Sequence, residues 1–253
     1  VNLEKSLVDY KEINQTELAG IKPIITLWNS KQGVYKLNNF NIDRNTAIER
    51  LKQYHELSAG NNTTYYSFFK KEILNDIYKL LKHHPTKGGY LDWSISWACV
   101  ASGKVLTDVS KLLIYKNNNW FGDQDFINKQ AIKLYEDCGV GEIGCYMSPL
   151  FNALDVFILI MRKKSNVPFE EKLEAAEYAL NFHLNQLIHN SNRGPHHFFK
   201  KVACEIEKIN IEENIELKLK KALTILKCQF PNLVDDYLLF YEKSIESKWG
   251  EID

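Results

Sequence analysis

GGYLDWSISWACVASGKVLTDVSKLLIYK, residues Gly88 to Lys116, is the densest apolar run in the first half of the chain, and its reading decides the fold. Trp93 and Trp97 stand four residues apart with small residues between them. In a helix starting near Tyr90, Leu91, Ile95, Ala98 and Ser102 share one face. Trp93, Trp97, Val100 and Ala101 widen that face until little polar surface remains. Such a helix is buried nearly all round. Ser94, Ala98, Ala101 and Gly103 are small enough for neighbouring backbones to approach, and Gly103 suits the helix end. Thr107 then reads as the N-cap of a second helix whose Val109, Leu112 and Leu113 face inward.

The same signals extend in both directions. Asp43 can cap a helix carrying Ile48, Leu51 and Tyr54 that ends at Gly60. Thr63 or Thr64 opens a longer one, with Phe69, Ile73, Ile77, Leu80 and Leu81 at helical spacing, stopped by Pro85. After a polar loop from Asn117 to Gly122, Asp123 caps a helix carrying Ile127, Ala131, Leu134 and Tyr135, closed by Gly139 and Gly141. Ser148 and Pro149 form an N-cap and N1 pair for an apolar helix that ends at Arg162, Lys163 and Lys164. Pro168 opens the clearest amphipathic pattern, with Leu173, Ala176, Leu180, Leu184 and Leu187 on one face. Three further helices are expected near 198–208, 212–229 and 232–248, the last two separated by Pro231. In the first 40 residues Leu3, Leu7, Tyr10 and Ile13 have loose helical spacing. There IKPIITLW and GVYKL, separated by NSKQG, read equally well as two short strands. The expected architecture is all-α: eight to ten helices in stacked antiparallel pairs over residues 41–253, with residues 1–40 as an irregular cover that leaves room for a short hairpin.

Composition narrows the function. Of 253 residues, 32 are Lys or Arg and 32 are Asp or Glu, with the signs interspersed, so the electrostatic footprint of a general nucleic-acid binder is missing. The five cysteines lack CxxC spacing, and Cys99 and Cys228 lie in apolar patterns, as reduced thiols do. The longest apolar run, Leu150 to Met161, is interrupted by Asn152 and Asp155 and is too short for a bilayer. Val1 stands where an initiator Met is usual, and no signal-peptide or lipidation pattern follows it. The expected compartment is the cytosol, with no membrane partner.

Chemistry-bearing motifs are sparse. His83 and His84 abut Pro85 at a helix C-terminus, where imidazole suits the dipole. His183 and His189 are six apart, a spacing that does not let a helix share a metal between them, and HExxH is absent. GVGEIG at 139 to 144 lacks GxGxxG spacing, no GxSxG elbow occurs, and Asp235 and Asp236 read as acids at a helix N-terminus. Asp92 reads as a first-turn acid. Asp155 lies among Leu154, Val156 and Phe157 and is expected to face outward, because a buried acid would need a partner. The one suggestive loop is Arg193, Gly194, Pro195, His196, His197. Arg and His together can position and protonate a phosphate, as in helical ribonucleases of the HEPN class, but Gly-Pro breaks the helix those enzymes keep. No catalytic residue, metal or cofactor is expected. A helical nuclease or hydrolase using Arg193, His196 and His197 is the alternative, beside a groove-binding helical adaptor.

GGYLDWSISWACVASGKVLTD and SPLFNALDVFILIMRKK together give the region 90–250 a character that resembles the all-helical immunity proteins of bacterial polymorphic-toxin and contact-dependent inhibition systems. The resemblance implies a cytosolic protein without an active site that binds one cognate toxin domain and blocks it. Against a nuclease toxin, acids would meet the basic cleft. The candidate partner-binding residues are Asp123, Asp125, Glu136, Asp137 and Glu142 around the glycine loop, with Trp120 and Phe121 as aromatic anchors.

Overall fold

In the computed structural model, which describes residues 17–246, the segment after Gly103 is a strand and not a helix. In chain order the elements are β1 (Leu18–Asn29), β2 (Gly33–Asn38), α1 (Ala47–Ser58), β3 (Phe68–Phe69), α2 (Lys71–Leu81), α3 (Asp92–Ala101) and β4 (Lys104–Lys116). They continue with α4 (Gln124–Glu136), α5 (Glu142–Tyr146), α6 (Ser148–Met161), α7 (Phe169–Arg193), α8 (His196–Phe199), α9 (Ala203–Glu207), α10 (Ile215–Gln229) and α11 (Val234–Ile245). The fold is therefore α/β, a four-stranded mixed sheet against helices, and the all-α expectation is corrected. The helical spacing in the first 16 residues lies outside the described residues.

β1 organises the sheet. One edge of it pairs in parallel with β4, while the other pairs antiparallel with β3 at its start and with β2 at its end. The β1 and β2 hairpin realises the two-strand reading of IKPIITLW and GVYKL. β4 is rich in β-prone residues, among them Val105, Thr107, Val109, Ile114 and Tyr115. Its helical spacing has a local cause. The register jumps from Pro23 opposite Asp108 to Ile24 opposite Leu112, so residues 109–111 bulge out and break the alternation. Asp108 Oδ1 accepts from the N–H and the hydroxyl of Ser110 and pins that bulge. Gly103 ends α3 and also lets β1 in: a Cβ there would lie 2.6 Å from the Glu17 carbonyl oxygen and 2.9 Å from Ala19 N.

The core is built around α6, buried from Pro149 to Met161 except at Asn152, and packed against α3 and α7. It leaves no outward side for Asp155, which is fully buried and not exposed as expected. α3 is buried from Ser94 to Ala101, as its sequence predicts. Its last turn is closed by Arg50 of α1, whose Nε donates to the Val100 carbonyl at 3.0 Å and Nη2 to the Ala101 carbonyl at 2.7 Å. A buried guanidinium thus satisfies carbonyls that a helix end leaves orphaned.

Several boundaries also shift. Thr46 caps α1 in a full capping box with Glu49, while Asp43 instead accepts from Gln53 Nε2 at 3.1 Å. The helix expected from Thr63 begins only at Lys71, behind a 3₁₀ turn over Thr63–Tyr66 and the two residues of β3. The segment 198–208 is split into α8 and α9. Asp123 caps α4 through the Phe126 N–H at 2.8 Å, as its sequence predicts. Among the described residues no helix is long and apolar enough to cross a membrane.

Candidate partner-binding surface

The two faces of the sheet differ sharply. Ladder partners point to the same side, so Ile25 and Leu27 of β1 share a face with Leu113 and Tyr115 of β4, and this face turns inward. Ile24, Thr26 and Trp28 share the other face with Leu112, Ile114 and Lys116 of β4 and with Leu37 and Val34 of β2. On that outer face Val34 is 63 % exposed, Leu37 59 %, and Leu112 and Ile114 62 % each. Single exposed aliphatics are ordinary, whereas four of them on the two strands that flank β1 make a patch of the kind that marks an interaction site.

Among the described residues the edge of β4 is also open over half its length. Val105 exchanges both backbone bonds with Ile42, each at 2.8 Å, and the Thr107 N–H donates to Asn41 Oδ1. Residues 40–42 therefore cover the edge of the first half of the strand. Farther on, the Asn117 N–H donates to the Trp28 carbonyl, toward β1. Alternation then turns the backbone groups of Tyr115 and Leu113 toward β1 and those of Leu112, Ile114 and Lys116 away from it. Among the described residues no strand pairs with that side.

At the end of the sheet a hollow of about 310 Å³ lies between the β1–β2 turn and the loop that leads to α4, lined by Asn29, Ser30, Lys31, Asn118, Phe121, Gly122, Asp123 and Phe126. Its two walls are tied by the Ser30 N–H, which donates to Asn118 Oδ1 at 3.0 Å. Asn29 Oδ1 accepts from the N–H groups of Lys31 and Gln32, while its buried Nδ2 has no partner among the described residues.

Of the candidates read from sequence, Phe121 and Asp123 line this hollow and the exposed Trp120 adjoins them in the chain. Phe121 also packs on Tyr35, ring centroids 5.4 Å apart. Asp125 sits exposed in the first turn of α4. Glu136 and Asp137 lie at the far end of the same 13-residue helix, roughly 20 Å away along its axis. Glu142 opens the next helix. The candidate acids are therefore spread along α4 and past its end and do not form one patch. Asp137 is paired with Lys133 at 2.8 Å in an exposed contact that contributes little. On the strands and the β1–β2 turn Lys31, Lys111 and Lys116 stand without an ion-pair partner among the described residues, whereas Lys22 is buried and Lys104 is paired with Glu17 at 2.7 Å.

The buried polar groups lie elsewhere and are structural in character. His84, read from sequence as a helix-dipole partner, is buried beyond the end of α2. Its Nδ1 accepts from the N–H groups of Thr86 and Lys87, both at 3.2 Å, which leaves the proton on Nε2 to be donated to Asp155 Oδ1 at 2.9 Å. Tyr237 of α11 donates to the same oxygen at 2.9 Å, and Asp155 Oδ2 has no partner among the described residues. Burial and the neighbouring carboxylate hold the Tyr237 phenol far above its usual range. This knot ties three separate elements together. Arg162 does the same at the end of α6: its Nε donates to Asp76 and its Nη2 to Ser102, both at 2.8 Å. His183 is buried against Trp97, and its pKa is held down to about 4 by burial.

Arg193, His196 and His197 are all exposed around Gly194 and Pro195, and no hydrogen bond or ion pair joins them among the described residues. The His197 ring lies tilted against Phe198, centroids 4.0 Å apart. The five cysteines are free, with Cys99 buried and its thiol pushed up to about 12, while Cys228 is exposed and not part of an apolar face. Among the described residues no three His, Cys, Asp or Glu side chains gather to hold a metal ion. No protein family, curated protein or solved structure matches the chain, so the reading of this surface rests on its geometry.

Proposed function

We propose that the chain is a cytosolic protein-binding inhibitor, which takes a cognate toxin domain onto the outer face of its sheet and the adjoining hollow and blocks it without chemistry of its own. The observation that carries this reading is the set of exposed aliphatics Val34 and Leu37 of β2 and Leu112 and Ile114 of β4, on either side of β1 on one face of the sheet. An aliphatic face of that kind costs solubility unless something covers it. The hollow at the end of the same sheet supports the reading further, because aromatic rings such as Phe121 and Phe126 in a recess make an anchor point of the kind that dominates binding energy. The immunity proteins whose sequence character this chain resembles were expected to be all-helical, so the support rests on this surface and not on the fold.

The test is co-purification of the tagged chain with the product of the adjacent upstream gene, together with growth rescue in cells that express the C-terminal domain of that product. A stable complex with a nanomolar or tighter Kd, and rescue of growth, is the expected result. Absence of both removes the inhibitor reading.

A further inference from the structure

We propose that the partner engages this chain through an acidic segment in extended conformation that adds as a fifth strand of the sheet along the open half-edge of β4. The proposal rests on the protein-binding reading above and specifies what binds and how. Three observations converge on it.

The first is the edge itself. The backbone N–H and C=O groups of Leu112, Ile114 and Lys116 turn away from β1, and residues 40–42 cover only the first half of the strand. Unpaired ladder groups on a strand edge are a template for a further strand. The second is that the side chains of Leu112 and Ile114 stand exposed on the outer face, so a strand laid beside them can bury its own alternate apolar side chains against them. The third is charge. Lys111 and Lys116 flank the open half-edge, while the only acid on β1, β2 and β4, Asp108, is buried and bonded to Ser110; at the hollow beyond, Lys31 is matched by Asp123. An acidic strand complements that rim. A nucleic acid would meet the same lysines, but its phosphates would gain nothing from Leu112, Ile114, Val34 and Leu37. A lipid surface would cover the aliphatics but leave the edge groups unpaired.

The probe is a short capped peptide of alternating Glu and Val, compared with its Lys and Val counterpart and with a Glu and Val peptide N-methylated along one edge. It is titrated into the full chain while amide hydrogen exchange is followed. The expected result is slowing of exchange by about tenfold or more at Leu112, Ile114 and Lys116, with affinity about tenfold weaker for either control peptide. Lys111→Glu with Lys116→Glu should likewise weaken the Glu and Val peptide by about tenfold, and added salt should weaken it further. Equal binding of the Lys and Val peptide overturns the proposal. So does no protection of these three amides, or binding only of a DNA duplex or of phosphatidylserine vesicles. If the upstream gene product co-purifies while these amides stay unprotected in the complex, the inhibitor reading stands and strand addition falls. If neither the gene product nor the peptide binds, both fall.

Discussion

Replacing Asp155 with leucine is expected to destabilise the fold by about 3–5 kcal/mol, because it strips the acceptor from two buried donors at once. His84 Nε2–H and the Tyr237 hydroxyl both bond Asp155 Oδ1 at 2.9 Å, and among the described residues neither has another acceptor. The His84 ring has no freedom to turn, since two backbone N–H groups hold its other nitrogen. Tyr90, Tyr237 and Phe240 crowd the ring edge-on, with centroids 5.2 to 6.3 Å away. Tyr237→Phe alone removes one donor and leaves the carboxylate its histidine, so a loss of about 1 kcal/mol is expected. In the double variant Asp155→Leu, Tyr237→Phe one of the two orphaned donors is gone. The double change should therefore cost less than the sum of the singles by about 1 kcal/mol or more. Denaturant unfolding of the four proteins measures this, and a loss below about 1 kcal/mol for Asp155→Leu would show that the knot is not a structural pin.

Lys22→Met is expected to act in the opposite direction. Lys22 is fully buried in β1, its Nζ lies 3.0 Å from the centroid of the Phe40 ring, and it has no hydrogen-bond partner among the described residues. Burial pulls its pKa from 10.5 down to about 7. Below about pH 7 the lysine is charged in both the folded and the unfolded chain, and the folded state bears the whole cost of burying the charge. Between about pH 7 and 10.5 the folded lysine is neutral while the unfolded one still holds its proton, so wild-type stability rises with pH across that window. Met fills a similar volume without the charge. At pH 6 the variant should be more stable by roughly 2–4 kcal/mol, and the gap should close as pH climbs through 7 toward 10. A gap that stays constant from pH 6 to 9 would mean that the ammonium is solvated in the folded chain.

The helices whose ends carry local chemistry were legible in the sequence. Pro149 stands in the first turn of α6, although Met147 and not Ser148 is its N-cap, and Arg162 follows its last residue; Pro168 precedes α7, Asp123 caps α4, and Pro231 separates α10 from α11. α3 too could be read through to Gly103. What failed was the segment beyond it. A three-residue bulge in β4 places Val109, Leu112 and Leu113 at helical spacing, and what makes the segment a strand is β1, more than eighty residues earlier, for which no local signal exists. The same distance hid the site. Phe121 and Asp123 could be singled out on one wall of the hollow, but Asn29, Ser30 and Lys31 reach the other wall only because β1 pairs with β4. Asp155 was misread because outward facing is the safer expectation for a lone acid in an apolar helix, and that expectation fails where the helix is enclosed on every side.

The central claim, that the outer sheet face is where the partner docks, is tested most directly by comparing two multiple variants against the upstream gene product. One carries Leu37→Glu with Ile114→Glu. The other carries Arg193→Ala, His196→Ala and His197→Ala, and in both folding is checked by unfolding midpoint. The account predicts a loss of affinity of about a hundredfold or more for the sheet variant and a change of less than about twofold for the loop variant. Undiminished binding by the folded sheet variant, or a comparable loss in the loop variant, would contradict it.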